Sequence, residues 1–284
     1  MVYNFAMKQQ FLVTPQMHGK TIGWFFQQQG YSTTQIKRFK YDGAILVDGT
    51  PQTVRYVLQQ GQTLALHTNQ RLQTPNFAPR PAEILYCDKW LYVANKPNGV
   101  AIHPDRSHQT DTLGNMLATH FGNGFQLRIV TRLDKTTSGL VLGALDEITA
   151  QRLNDMMALQ TAHKTYFAIV EGVVEGEGLV DIPLLRDDAN NKTLPHVCGK
   201  PSQTRFKALQ TNGKNTLLSV EPLTGRTHQI RAHLSHIGHP IVGDALYGAQ
   251  PAPQICLHCH KLQFEHPHTG NVVCVQVDAP FALD

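Results

Sequence analysis

The segment from Arg71 to Ala82 constrains the chain most. Pro75, Pro79 and Pro81 fall within it. Each proline fixes its own φ, removes a backbone donor and pushes the residue before it away from helix, so neither a helix nor a central strand can run through. The chain is therefore expected to divide into a unit over residues 1–70, a polar linker over 71–82 and a second unit over 83–284. A length of 284 residues suits two units and allows a sizeable buried core.

The first unit reads as two helices and a hairpin. Thr21 to Gln29 has a helical pattern stopped by Gly30, and Ser32-Thr33-Thr34-Gln35 has the form of a capping box opening a second helix. Ile36 and Phe39 would then face inward while Lys37, Arg38 and Lys40 lie outward. Taken alone, such a basic face is most simply a solvated one. Ala44 to Val47 followed by Asp48-Gly49 is the strongest hairpin signal in the chain.

The second unit reads as mixed α and β, so the fold class expected is α+β. Its most unusual stretch is Arg132-Leu133-Asp134-Lys135-Thr136-Thr137-Ser138-Gly139-Leu140, a charged turn between two apolar runs, Leu127 to Val130 and Leu140 to Leu145, each read as a strand. A carboxylate held there beside cations would stay ionised and available, although turn capping by Asp134 is the plainer reading of an isolated residue. Asp146 and Glu147 start a helix with Leu153, Met156 and Met157 at core spacing. From Lys164 the pattern becomes a strand, with Tyr166, Ala168 and Val170 on one face. Near Thr227 a helix begins, with Ile230, Leu234 and Ile237 inward, Arg231 one residue past that edge and Gly238 as the stop. A turn Asp, a strand Tyr and a helix Arg could thus share one pocket.

Hydrophobic residues make up 41% of the chain, and no apolar run approaches the roughly 20 residues needed to span a bilayer. Met1 to Gln10 lacks a secretory pattern, and five cysteines form no disulfide frame, so a cytoplasmic location is expected. A net charge of +4 favours a polyanionic partner only mildly. Fifteen histidines and Cys256-Leu257-His258-Cys259-His260 invite a zinc reading, but in a strand positions 256 and 259 point to opposite faces and chelate poorly, so no metal is assigned. Asp244, the other candidate nucleophile, reads better as a structural turn residue between Gly243 and Gly248.

Five blocks, in order, resemble the RluA-type pseudouridine synthases. Arg132 to Gly139 matches that family's His-Arg-Leu-Asp-x-x-Thr-Ser-Gly turn except that Thr131 stands in place of His. Lys164-Thr165-Tyr166-Phe167-Ala168 is similar to its Lys-x-Tyr-x-Ala strand, and Thr224-Gly225-Arg226-Thr227-His228-Gln229-Ile230-Arg231 to its Thr-Gly-Arg-x-His-Gln-Ile-Arg block. His239 to Asp244, and Leu257-His258 to His266-Pro267, complete the pattern. The resemblance implies isomerisation of uridine to pseudouridine in RNA without a cofactor, with Asp134 catalytic, Tyr166 and Arg231 assisting, and Arg132 filling the space of a flipped-out base or contacting phosphate. No Gly-x-Gly-x-x-Gly or P-loop argues otherwise. Residues Thr14 to Thr68 resemble an S4 RNA-binding domain, which would turn Lys37, Arg38 and Lys40 toward RNA. Ribosomal RNA is the expected partner, with tRNA the alternative, and the protein is expected to act as a monomer. A binding-only protein of the same fold is the competing reading, favoured by Thr131 alone.

Overall fold

The computed structural model describes residues 7–31, 33–41, 43–68, 76–104 and 108–283. Residues 71–75 of the expected linker and Ser32 of the expected capping box lie outside them, as does the Arg38 side chain.

The first unit contains β1 (Met7–Leu12), α1 (Ile22–Gln28), α2 (Thr33–Tyr41), β2 (Gly43–Val47), β3 (Thr50–Pro51) and β4 (Thr63–Thr68). Thr21 caps α1, its hydroxyl accepting from Trp24 N at 3.1 Å, and Gly30 ends it with φ at 74°. Asp48 and Gly49 join β2 to β3 with φ of 51° and 80°, the two positive angles that a tight hairpin turn requires. The strands form one antiparallel sheet in the order β1-β4-β2-β3. Phe25, Phe26, Tyr31 and Phe39 pack the helices onto Ile45, Leu64 and Leu66 as a core of their own. β1 was not anticipated, because its sequence, Met-Lys-Gln-Gln-Phe-Leu, has no clean alternation.

The second unit opens with β5 (Glu83–Cys87), β6 (Leu91–Lys96), α3 (Leu113–Phe121), β7 (Ser138–Ala144), α4 (Glu147–Ala158) and β8 (His163–Glu171). It continues through β9 (Glu177–Asp181), the hairpin β10 (Leu184–Asp187) and β11 (Lys192–Pro195), then β12 (Gln203–Thr211) and β13 (Asn215–Pro222). It ends with α5 (Gln229–His236), β14 (Leu257–Glu265) and β15 (Val272–Gln276). Nine strands form one mixed sheet, ordered β5-β6-β7-β14-β8-β13-β12-β9 with β15 beside β14. Only β7 and β14 pair in parallel among the described strands; the other neighbours are antiparallel. The fold is α+β, as expected. β7 is buried along its whole length, which explains its unbroken apolar run. The two units touch where Ile148, in the first turn of α4, packs against the core of the first.

Candidate active site

The approach to the charged loop differs from expectation. Leu127 to Val130 is not a regular strand: it contacts β7 by a single bridge between Ile129 and Gly143. The N–H groups of Val130 and Thr131 both donate to the Leu142 carbonyl, at 2.9 and 3.2 Å. Two successive donors on one acceptor break the alternation that a ladder needs. The buried Thr131 then completes the exit from the sheet, its hydroxyl accepting from Leu142 N at 2.9 Å.

From Arg132 the loop is tied down at several points. Lys96, at the end of β6, is fully buried, and its ammonium donates to the carbonyls of Pro97 and Val100 at 2.8 Å and of Lys135 at 3.1 Å. Burial pushes its pKa down to about 7, while Asp134 pulls the other way. The Asn98 amide donates to the Thr136 carbonyl at 2.5 Å. Beyond the turn, Ser138 Oγ meets His258 Nδ1 at 2.9 Å and Gly139, with φ of 108°, passes so near β14 that a Cβ would lie 2.3 Å from the Cys259 carbonyl oxygen. Only glycine fits there. Sequence reasoning missed Lys96, although a lysine closing an apolar strand just before Pro97 was a visible signal.

The opposing wall comes from the start of α5. Gln229 is buried; its side-chain Oε1 accepts from Thr224 Oγ1 at 2.7 Å and from Arg226 N at 3.0 Å, and its Nε2 donates to the Gln203 carbonyl at 2.8 Å. That stapling holds the chain so that His228 and Arg231 reach toward the loop. Arg231 donates from Nε and a terminal nitrogen to both oxygens of Asp244, at 2.7 and 2.8 Å. Another Arg231 nitrogen lies 3.6 Å from Asp134 Oδ2, and the guanidinium sits 5.0 Å from the Tyr247 ring centroid. Burial opposes the Arg231 charge, but Asp244 and then Asp134 more than offset it and hold its pKa above the ordinary value. The arginine expected to pair with Asp134 therefore takes Asp244 as its close partner and faces Asp134 at longer range. Asp244 is fully buried with both oxygens engaged, so it is a support and not a nucleophile.

Asp134 keeps 27% of its side-chain surface exposed, with His228 Nε2 at 3.8 Å from its Oδ2. Tyr166, on β8, is only 6% exposed. Burial first, then Cys259, then Asp134 hold that phenol well above its ordinary pKa, so it stays protonated at neutral pH. Arg132 is exposed beside the site. Arg231 thus faces Asp134 directly, and Tyr166 sits one strand away from the end of the loop, opposite the Cys259 that pairs with Gly139. Lys37 and Lys40 are exposed on α2. Cys259 lies buried, paired with Gly139 on one side and Tyr166 on the other. His228, named only as part of a motif, and Tyr247 join the site unannounced.

A model of the RNA pseudouridylate synthase family matches residues 90–236, a span that holds Asp134, Tyr166 and Arg231. The chain belongs to this family. It is 32% identical, over 90% of its length and 88% of the relative's, to an uncharacterized RNA pseudouridine synthase, YlyB, of Bacillus subtilis. It is 33% identical to the ribosomal large subunit pseudouridine synthase D of Pseudomonas aeruginosa, covering 84% of this chain and 82% of that one. Among solved structures, human RNA pseudouridylate synthase domain containing 1 superposes with a TM-score of 0.62 at 26% identity, covering 72% of this chain and 85% of that one. The protein is thus an RNA pseudouridine synthase, of the RluA type. No helix among the described residues is long and apolar enough to cross a membrane.

Proposed function

We propose that this synthase isomerises a uridine of large-subunit ribosomal RNA, in the cytoplasm, with Asp134 acting at the ribose C1′. The observation that carries the reading is one partly open carboxylate on an anchored loop, faced by Arg231 at 3.6 Å and His228 at 3.8 Å. The reaction breaks the N1–C1′ bond, turns the uracil and joins C5 to C1′, with the C5 proton lost and one gained at N1. Asp134 either bonds to C1′ or stabilises positive charge there while a ribose proton is removed. Tyr166 supplies a flat ring for the detached base and a hydroxyl for proton transfer. Arg231, itself fixed by Asp244, faces Asp134 with its positive charge and orients it. Arg132 occupies the space of the flipped-out base. The first unit acts as an S4-like grip through Lys37, Arg38 and Lys40 on phosphates.

The substrate follows from relatives named for the large ribosomal subunit. Mapping pseudouridines in total RNA of cells with and without the protein tests it. At least one site in large-subunit RNA should disappear. Loss confined to tRNA would redirect the substrate, and no loss anywhere would overturn the reading.

A further inference from the structure

His228 stands just before α5 with φ of 53° and makes no side-chain capping bond. A non-glycine residue in that left-handed region is strained, and such strain persists only where the surroundings impose it. Here the imidazole is turned away from the helix end and set between Tyr247 and Asp134.

The Tyr247 hydroxyl fixes which ring nitrogen carries the proton. It donates to the Thr193 carbonyl at 3.0 Å and accepts from Thr193 N at 2.9 Å. Its one hydrogen is spent, so toward His228 Nδ1, at 3.2 Å, it can only accept. Nδ1 therefore holds the proton and Nε2 is left with a lone pair. That lone pair faces Asp134 Oδ2 across 3.8 Å, too far for a hydrogen bond. The charged groups around the ring are Asp134 on the loop, Arg231 on α5, Arg186 on β10 and Asp244 behind. Burial foremost, with the two arginines, outweighs the two acids and keeps the imidazole below its ordinary pKa and so neutral at pH 7. The side chain is 11% exposed.

An acceptor beside the carboxylate that works at C1′ needs a donor from the substrate. Within an RNA chain the 3′ oxygen is esterified, and the uracil N3–H lies on the edge of the base away from C1′. The 2′-hydroxyl, two bonds from C1′, remains. We propose that His228 Nε2 accepts a hydrogen bond from the 2′-hydroxyl of the target nucleotide, and so makes the site selective for ribose. The inference rests on the reading of Asp134 at C1′. It assigns to His228 a contact with substrate, and to Tyr247 the positioning of the ring.

The test uses a fragment of large-subunit RNA around the mapped uridine, made with either uridine or 2′-deoxyuridine at that one position. Affinity is measured on the full-length protein, so a deoxy target that does not react still gives a reading. The wild type should prefer the ribose form by about tenfold, the size of one neutral hydrogen bond. His228→Asn keeps a residue that tolerates positive φ but is too short to reach, and should abolish the preference by weakening only the ribose complex. His228→Gln, whose amide oxygen restores an acceptor, should recover part of it. No preference in the wild type would overturn the proposal without any variant, and so would an equal loss on both RNAs by His228→Asn. Failure of the Asp134 reading has a different signature: undiminished product from Asp134→Asn.

Discussion

The loop that carries Asp134 and the helix that carries Lys37 and Lys40 handle charge in opposite ways. The loop is fixed by a buried lysine, by Asn98, by Ser138 against His258 and by a glycine that no other residue can replace. Helix α2 has its core side settled by Phe39 and leaves Lys37 and Lys40 exposed. A group that must meet one atom of a ribose gains from preorganisation, since a small displacement forfeits rate. A group that meets phosphates gains mainly from being positive, and its attraction is long-ranged and salt-sensitive. If that contrast is correct, substitutions in the loop cost rate or stability steeply, whereas those on α2 cost affinity in small, salt-dependent steps.

The largest effect is expected at Gly139. Alanine there combines positive φ with a Cβ 2.3 Å from the Cys259 carbonyl, and should destabilise the second unit by on the order of 3 kcal/mol. Activity should fall with it. A Gly139→Ala protein that melts with the wild type would break the idea that β14 sets the loop.

Lys96→Met comes next. Without the ammonium the Lys135 carbonyl is released and Asp134 is less well held, so the rate should fall about 10- to 100-fold. The pH dependence has a definite sign. Lys96 titrates at about 7 in the folded protein against 10.5 for an ordinary lysine. Between those values the unfolded chain binds a proton that the folded one lacks, so wild-type stability should rise with pH across that window relative to Lys96→Met. The penalty for burying the charge is full below pH 7 and gone above pH 10.5. Parallel melting curves of the two proteins against pH would show that burial does not depress the Lys96 pKa.

Thr131 offers a milder probe. It is buried with its hydroxyl bonded to the backbone of β7, so Thr131→His should change activity by no more than roughly tenfold, or 1.4 kcal/mol of barrier. A silent wild type that gained activity with histidine would favour the binding-only reading. Smallest per residue are the effects on α2. Replacing Lys37, Arg38 and Lys40 by Ala should leave the chemical step unchanged and lower the log-log salt slope of RNA affinity by about one per lost phosphate contact. An unchanged slope would remove the first unit's S4-like role.

Much of this contrast was legible in the sequence, for physical reasons that differ by region. Asp48-Gly49 and Gly30 announce their turns because few residues accept positive φ, and the apolar runs of β7 and β8 announce burial. Asp134, Tyr166 and Arg231 were singled out by motif order, and the structure sets Arg231 3.6 Å from Asp134. Leu127 to Val130 misled, because an apolar run beside a sheet looks like a strand whether or not its donors alternate. The partnership of Arg231 with Asp244 was hidden, since two residues 13 apart meet only once α5 and the following turn are packed. His228 was hidden for the same reason: its significance depends on Tyr247 and Thr193, which come from other elements.

The central claim is that Asp134 supplies the charge on which the isomerisation depends. It is tested most directly by single-turnover pseudouridine formation with Asp134→Asn on the mapped RNA, alongside the affinity of the same variant. The substitution keeps the size of the side chain and its support from the loop, so affinity and melting temperature should stay near wild type while product formation is abolished. Product at a rate near that of the wild type would contradict the account.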